Sequence, residues 1–130
     1  MQFGSNQAIY LQIVDYLLAR ILSGKWTEGE RIPSIRDIAV SIEVNPNTVM
    51  RSYAYLQERE IIINQRGIGY FLAFNGIELA KQVKRKEFIQ KTIPKVFETL
   101  NLLDISSEGL TKMLEQYKND KLNPKNKFIL

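Results

Sequence analysis

Apolar positions first recur at helical spacing close to the start of the chain. Ile9, Ile13, Tyr16, Leu17 and Ile21 fall on one stripe, and Leu11, Val14, Leu18 and Leu22 widen it. A face this wide predicts a helix buried on more than one side, stopped at Ser23-Gly24. Residues 1–7 are polar and are expected to fray, with Ser5 or Asn6 as the helix cap. Trp26-Thr27-Glu28-Gly29-Glu30 reads as a turn, with Trp26 expected to pack over the end of the first helix. Glu30-Arg31-Ile32 then reads as a short strand that Pro33 ends.

The next stretch carries the sharpest local signals. Ser34 and Asp37 stand three apart, as in a capping box, and Ile35, Ile38, Ala39 and Ile42 form the apolar face of a short helix over 34–42. A tight turn at Glu43-Val44-Asn45 contains no glycine. Asn45 is a good N-cap, and Pro46 falls at the first helical position, where its missing N–H costs nothing. In the helix predicted over 46–59, Val49, Tyr53 and Leu56 face the core while Asn47, Met50, Arg51 and Ala54 lie opposite. Two β-prone runs follow, over 61–65 and 70–74. Glycines in the connecting Arg66-Gly67-Ile68-Gly69 predict a hairpin.

An amphipathic helix with a polar outer face is ordinary when taken alone. Two helices joined by a three-residue turn and followed directly by a hairpin have the layout of a helix-turn-helix with a wing. The fold expected is mostly α with a small β-wing. A helix with hydrogen-bonding residues in its first turn fits a DNA major groove, and an arginine at a hairpin tip can meet phosphate or a minor groove.

After the hairpin, Ile77, Leu79, Ala80, Val83, Phe88, Ile89, Ile93, Val96, Phe97, Leu100 and Leu103 mark a long helical pattern. Pro94 should kink or split it near residues 91–93. Lys84-Arg85-Lys86 reads as a solvated face. Ser106 or Ser107 can cap a last helix to about Tyr117, with Leu110, Met113, Leu114 and Tyr117 as its stripe. Phe88, Ile89, Val96, Phe97, Leu100 and Leu103, with Leu110 and Leu114, are more apolar surface than two helices can hide between them. Pairing with the same tail of a second copy is the simplest burial, and folding back on the first domain is the alternative. The expected organisation is therefore 1–75 as a winged domain, 76–118 as a helical dimerisation tail and 119–130 as a disordered end. Removing residues 76–130 is expected to leave a folded monomer.

Composition narrows the chemistry. The chain has no cysteine and no histidine, so disulfides, thiolate or imidazole metal sites and a histidine general base are excluded. No catalytic set and no cofactor are expected. The start shows no signal-peptide pattern, and no apolar run approaches the roughly 20 residues that cross a bilayer, so a cytoplasmic location without membrane contact is expected. The net charge of +4 arises entirely after residue 75, because residues 1–75 hold seven basic and seven acidic side chains. Bulk charge therefore does not mark the winged region, and placement does. Arg31, Arg36, Arg51 and Arg66 are expected on one surface, with Asp15, Glu28 and Glu58 elsewhere. A wing used only for protein–protein contact would have no need of that set.

Residues 8–73 resemble the winged-helix domain of the GntR superfamily of bacterial transcription regulators. Four segments carry the resemblance: Ile9-Tyr10-Leu11-Gln12-Ile13, Gly29-Glu30-Arg31-Ile32-Pro33-Ser34-Ile35-Arg36-Asp37-Ile38-Ala39, Val44-Asn45-Pro46-Asn47-Thr48-Val49 and Arg66-Gly67-Ile68-Gly69-Tyr70. The short helical tail looks like that of the YtrA-like subfamily, where it is a dimerisation device. The resemblance implies a homodimer on double-stranded DNA, a repressor role and a palindromic operator. It implies contacts from Arg31, Ser34 and Arg36, from the recognition-helix start at Pro46, Asn47 and Thr48, and from the wing at Arg66 and Gly67. Met50 stands where some relatives have arginine, and Arg51 beside it can reach a phosphate instead. The residues after 75 are too few to enclose the usual effector pocket of about 300 Å³ or more within one protomer. Whether any small-molecule effector acts is left open.

Overall fold

The computed structural model describes residues 1–4 and 6–122, and two compact units divide the chain, Met1–Arg85 and Lys86–Leu130. The first unit opens with α1 (Ile9–Leu22), whose N-cap is Ala8 with no side-chain bond. Of the two expected caps, Asn6 lies two residues before the cap position, and Ser5 lies outside the described residues. The segment before α1 is nonetheless tied down. The Gln12 side chain accepts from the Gly4 N–H at 2.9 Å and donates to the carbonyls of Gly4 and Gln7 at 2.9 and 2.8 Å. Phe3 packs against the core, where fraying had been expected.

The end of α1 falls at the expected place. Gly24 takes φ +75°, its N–H bonds the Ile21 carbonyl, and the Lys25 N–H bonds the Arg20 carbonyl. This pair of bonds satisfies the last open carbonyls of the helix. Trp26 then packs against the core. Helix α2 (Ile35–Ile42) starts with the capping box of Ser34 and Asp37. Helix α3 (Pro46–Glu58) starts with the Asn45 cap and Pro46 in its first turn.

The hairpin pairs β1 (Ile62–Gln65) with β2 (Gly69–Leu72), antiparallel, from Ile62 opposite Leu72 to Gln65 opposite Gly69. The sheet has two strands, and the predicted short strand reaches it only as an isolated antiparallel bridge from Arg31 to Phe71. The second β-run stops short of Phe74, which is 84% exposed. The core lies between these elements. Ile13, Leu17, Leu18 and Ile21 of α1, Ile38 and Ile42 of α2, Val49, Tyr53 and Leu56 of α3, and Ile61, Ile62 and Leu72 around the wing are all buried. Each large apolar side chain so buried contributes roughly 1.5–3 kcal/mol before chain entropy is counted.

Helix α4 (Gly76–Glu87) begins inside this unit rather than after it. Ala80 is fully buried, Ile77, Leu79 and Val83 pack against the core, and Lys84 pairs with Asp15 of α1 at 3.4 Å. The unit therefore runs to Arg85, past the boundary expected at residue 75. A cut before Gly76 would remove Ala80 from the core, and Ile77, Leu79 and Val83 from their packing against it.

In the second unit a π-helical turn (Phe88–Thr92) precedes α5 (Ile93–Leu102). Pro94 explains it. Proline offers no N–H to the carbonyl four residues back, and its ring crowds that carbonyl. The chain widens instead, and the Ile93 N–H bonds the Phe88 carbonyl five residues back. Asp104 turns the chain at φ +56°, and the Ser106 hydroxyl accepts from the Gly109 N–H at 3.0 Å to cap α6 (Ser107–Leu122). This helix continues past the stop expected at Tyr117; residues 123–130 of the expected disordered end lie outside the described residues. None of residues 86–121 is buried, and Phe97, Leu103 and Tyr117 stay 60%, 60% and 57% exposed.

Gly76 offers a test of the α4 packing. A Cβ there would lie 2.6 Å from Leu72 Cδ1 and 2.9 Å from the Ile61 carbonyl oxygen, which belongs to the backbone and cannot swing away. Gly76→Ala is expected to lower stability by about 1–3 kcal/mol despite the better helix propensity of alanine. Urea unfolding followed by circular dichroism measures it, and an unchanged midpoint would show that α4 does not seat as described.

Candidate nucleic-acid interface

Polar and basic side chains collect on three segments of the first unit. The first is the start of α2. Ser34 is committed to the helix cap: its hydroxyl accepts from the Asp37 N–H at 3.0 Å, and its own N–H donates to the Asp37 carboxylate at 3.3 Å. Arg36, in the same first turn, is exposed and holds no hydrogen bond or ion pair with a described residue.

The second segment is the start of α3. The turn before it needs one left-handed residue and has no glycine, so Glu43 adopts φ +55° and the Val44 N–H returns to the Ala39 carbonyl at 3.0 Å. Such a conformation costs an L-residue about 1–2 kcal/mol, and the surrounding core holds it there. Asn45 accepts from the Asn47 N–H at 2.8 Å. Pro46, Asn47, Met50 and Arg51 are exposed and Thr48 is half-buried. The Arg51 guanidinium lies 3.7 Å from the centre of the Tyr10 ring, at the start of α1.

The third segment is the wing. The Ile68 N–H bonds the Gln65 carbonyl at 2.9 Å, and Gly67 takes φ +79° within that turn. Arg66 beside it is exposed, without a bonded partner among the described residues. Arg31 lies across the base of the wing. Gly69 has φ +145°, and a Cβ on it would stand 2.7 Å from Arg31 Nε, so the bare glycine is the seat of that side chain.

Tyr53 holds the three segments in one arrangement. It is fully buried on α3, and its phenol donates to the Pro33 carbonyl, just before α2, at 2.6 Å. Its ring meets Tyr70 of β2 edge-on, with centroids 4.9 Å apart. The Ile32 N–H bonds the Tyr70 carbonyl at 2.9 Å and closes the circuit. Burial pushes the Tyr53 phenol well above its ordinary pKa, with Tyr70 and Asp37 adding to the effect.

Sequence reasoning placed Tyr53 in the core and did not find what its hydroxyl does. It also missed Tyr10, the seat at Gly69, and Ser52, whose buried hydroxyl donates to the Tyr10 carbonyl at 2.8 Å. A signal existed for Ser52, since it shares the arc of Val49, Tyr53 and Leu56 and is the one small polar residue there. Glu58, expected elsewhere, lines a shallow recess together with Tyr10, Arg51, Tyr55 and Arg59.

The family model for bacterial regulatory proteins of the gntR family matches residues 9–72. The HTH-type transcriptional regulator YhcF of Bacillus subtilis is 36% identical over 85 residues, which cover 65% of this chain and 69% of that protein. The chain belongs to the GntR family. The HTH-type transcriptional repressor YtrA of the same organism is 37% identical over 72 residues, 55% of each chain. Among solved structures, a GntR-family transcriptional regulator from Bacteroides thetaiotaomicron superposes with a TM-score of 0.75 at 41% identity, covering 88% of this chain and 99% of that one. The winged helix-turn-helix of this GntR-family chain is thus that of a DNA-binding transcription regulator. Among the described residues no helix is long and apolar enough to cross a membrane.

The Tyr53 bond makes a pH-dependent prediction for this GntR domain. A phenol whose pKa is raised on folding favours the folded state below its unfolded value of about 10, and that advantage drains away as pH climbs above it. Stability should therefore fall as pH rises beyond about 10. Tyr53→Phe should cost about 0.5–1.5 kcal/mol at neutral pH, because the Pro33 carbonyl loses its donor. The variant should also show a shallower alkaline decline. Denaturant midpoints of both proteins across the alkaline range check this, and parallel declines would remove Tyr53 from the account.

Proposed function

We propose that this protein is a homodimeric repressor that binds a palindromic operator, one winged domain to each half-site. The observation that carries the reading is the shared exposure of Arg36, the α3 start and the wing tip, three segments locked together by Tyr53. The first turn of α3 enters the major groove. Asn47 and Thr48 reach base edges there, and Met50 offers an apolar contact of the kind that suits a thymine methyl. Arg36 takes a phosphate or a guanine, Arg51 a phosphate, and Arg66 a phosphate or the minor groove, with Gly67 allowing the backbone close. Arg31 and Ser34 act from the base of the wing and the α2 start, and Pro46 sets where α3 begins. A repressor role is supported by the likeness to YtrA, itself named a repressor. Such a protein acts in the cytoplasm, where the chromosome is.

The dimer rests on the second unit. Phe88, Ile89, Val96, Phe97, Leu100, Leu103, Leu110 and Leu114 are apolar, and none is buried within the chain. Two copies that cover these faces against each other remove them from water, and a two-fold pairing uses one self-complementary patch. A symmetric protein then asks for a symmetric operator.

Arg36→Ala should weaken binding to a duplex enriched from a random pool by about 1–3 kcal/mol, with the unfolding midpoint unchanged. An unaltered dissociation constant at physiological salt would take Arg36 out of the interface. The dimer is tested by sedimentation at micromolar concentration. The full chain should run as a dimer and residues 1–85 as a folded monomer with weaker binding, because the second arm's effective concentration is lost. A monomeric full chain, or an enriched site without two-fold symmetry, contradicts the proposal.

A further inference from the structure

We propose that Tyr10 is a positioning residue for DNA binding, holding the Arg51 guanidinium ready for a backbone phosphate beside the recognition helix. The inference rests on the DNA-binding reading above and assigns a role to a residue outside the helix-turn-helix and the wing.

The geometry begins with Ser52. Its fully buried hydroxyl donates to the Tyr10 carbonyl at 2.8 Å and so fixes the backbone of α1's first turn against α3. The next residue back on α3 is Arg51, and its guanidinium stacks on the Tyr10 ring at 3.7 Å. Stacking uses the flat face of the guanidinium and leaves its N–H donors, which lie in the plane, pointing outward. Arg51 holds no hydrogen bond or ion pair with another described residue, and it is exposed. A shallow recess lined by Ala8, Ile9, Tyr10, Asn47, Thr48 and Arg51 places that guanidinium beside the first turn of α3.

The plain alternative is that the stack only packs α1 on α3. That joint is already made by buried Val49, Tyr53, Leu56 and Ser52, whereas the stack sits on the solvent side of it. What the stack adds is orientation. A free arginine loses rotamer freedom when it grips a phosphate, and a stacked one has given up that freedom beforehand. A planar guanidinium also meets two phosphate oxygens at once, which a lysine cannot do in the same way.

The test measures dissociation constants over a salt series with a fluorescent mixed-sequence duplex, alongside thermal midpoints. Tyr10→Leu should bind about threefold to tenfold more weakly. Its dependence of log affinity on log salt should flatten by about 0.9 as one phosphate contact is lost. Tyr10→Phe, which restores the ring, should recover both. In an Arg51→Ala background, Tyr10→Leu should add nothing, since both changes remove the same contact. Arg51→Lys covers the case in which Tyr10→Leu fails to fold: it keeps the charge, loses the planar stack and should also weaken binding. Wild-type affinity and salt slope in Tyr10→Leu, additive losses with Arg51→Ala, or wild-type binding by Arg51→Lys would each overturn the inference while leaving the regulator reading intact. A wild-type protein that binds no duplex would instead remove the reading beneath it.

Discussion

The phenol of fully buried Tyr53 donates to the carbonyl of half-buried Pro33 at 2.6 Å, and the arrangement of α2, α3 and the wing depends on that bond. Tyr53 belongs to α3, Pro33 leads into α2, and the ring that Tyr53 touches edge-on belongs to β2. Backbone bonds tie the lead-in of α2 to the wing, but among the described residues no such bonds set where α3 lies against Pro33 and Tyr70. One buried side chain with an apolar ring and one polar atom does so. The hydroxyl must be satisfied where water cannot reach it, so only one relative placement of α2 and α3 is comfortable.

Around that hub, the caps and turns decide where each exposed group sits. Asn45 and Pro46 place the first turn of α3 to the residue, and the box of Ser34 and Asp37 does the same for α2. Glu43 turns between them in a conformation that its own chemistry disfavours, so the core must supply the difference. The exposed residues at these starts are then fixed relative to each other without touching. The second unit follows a different rule. It opens on a π-helical turn and ends on a capped helix, yet none of residues 86–121 is buried, and the proposed dimer would take these faces out of water.

Much of this was legible in the residues. Asn45-Pro46, the capping box, the hairpin glycines and Pro94 act locally, and each shaped the backbone where it stands. The bridge to the wing at Arg31 and the core seat of Tyr53 also followed from pattern. What escaped were pairings between distant positions. Nothing in the spacing of Tyr10 and Arg51 says that they stack, nor that Gly69 is bare because Arg31 rests on it. The domain boundary slipped for a related reason: a helical pattern after a hairpin reads the same whether its first turns cover the core or leave it, and Ala80 covers it. The α6 end slipped because Lys118–Lys121 are polar, and a polar stretch can extend a helix already nucleated.

The most direct test of the central claim, that α2, α3 and the wing present one DNA-binding face, is amide chemical-shift mapping. An isotope-labelled full chain is titrated with a duplex enriched from a random pool. Shifts should concentrate together at residues 34–37, 45–51 and 65–69, on one binding isotherm. Shifts confined to α4 or the second half of α2, with those three segments unmoved, would contradict the account.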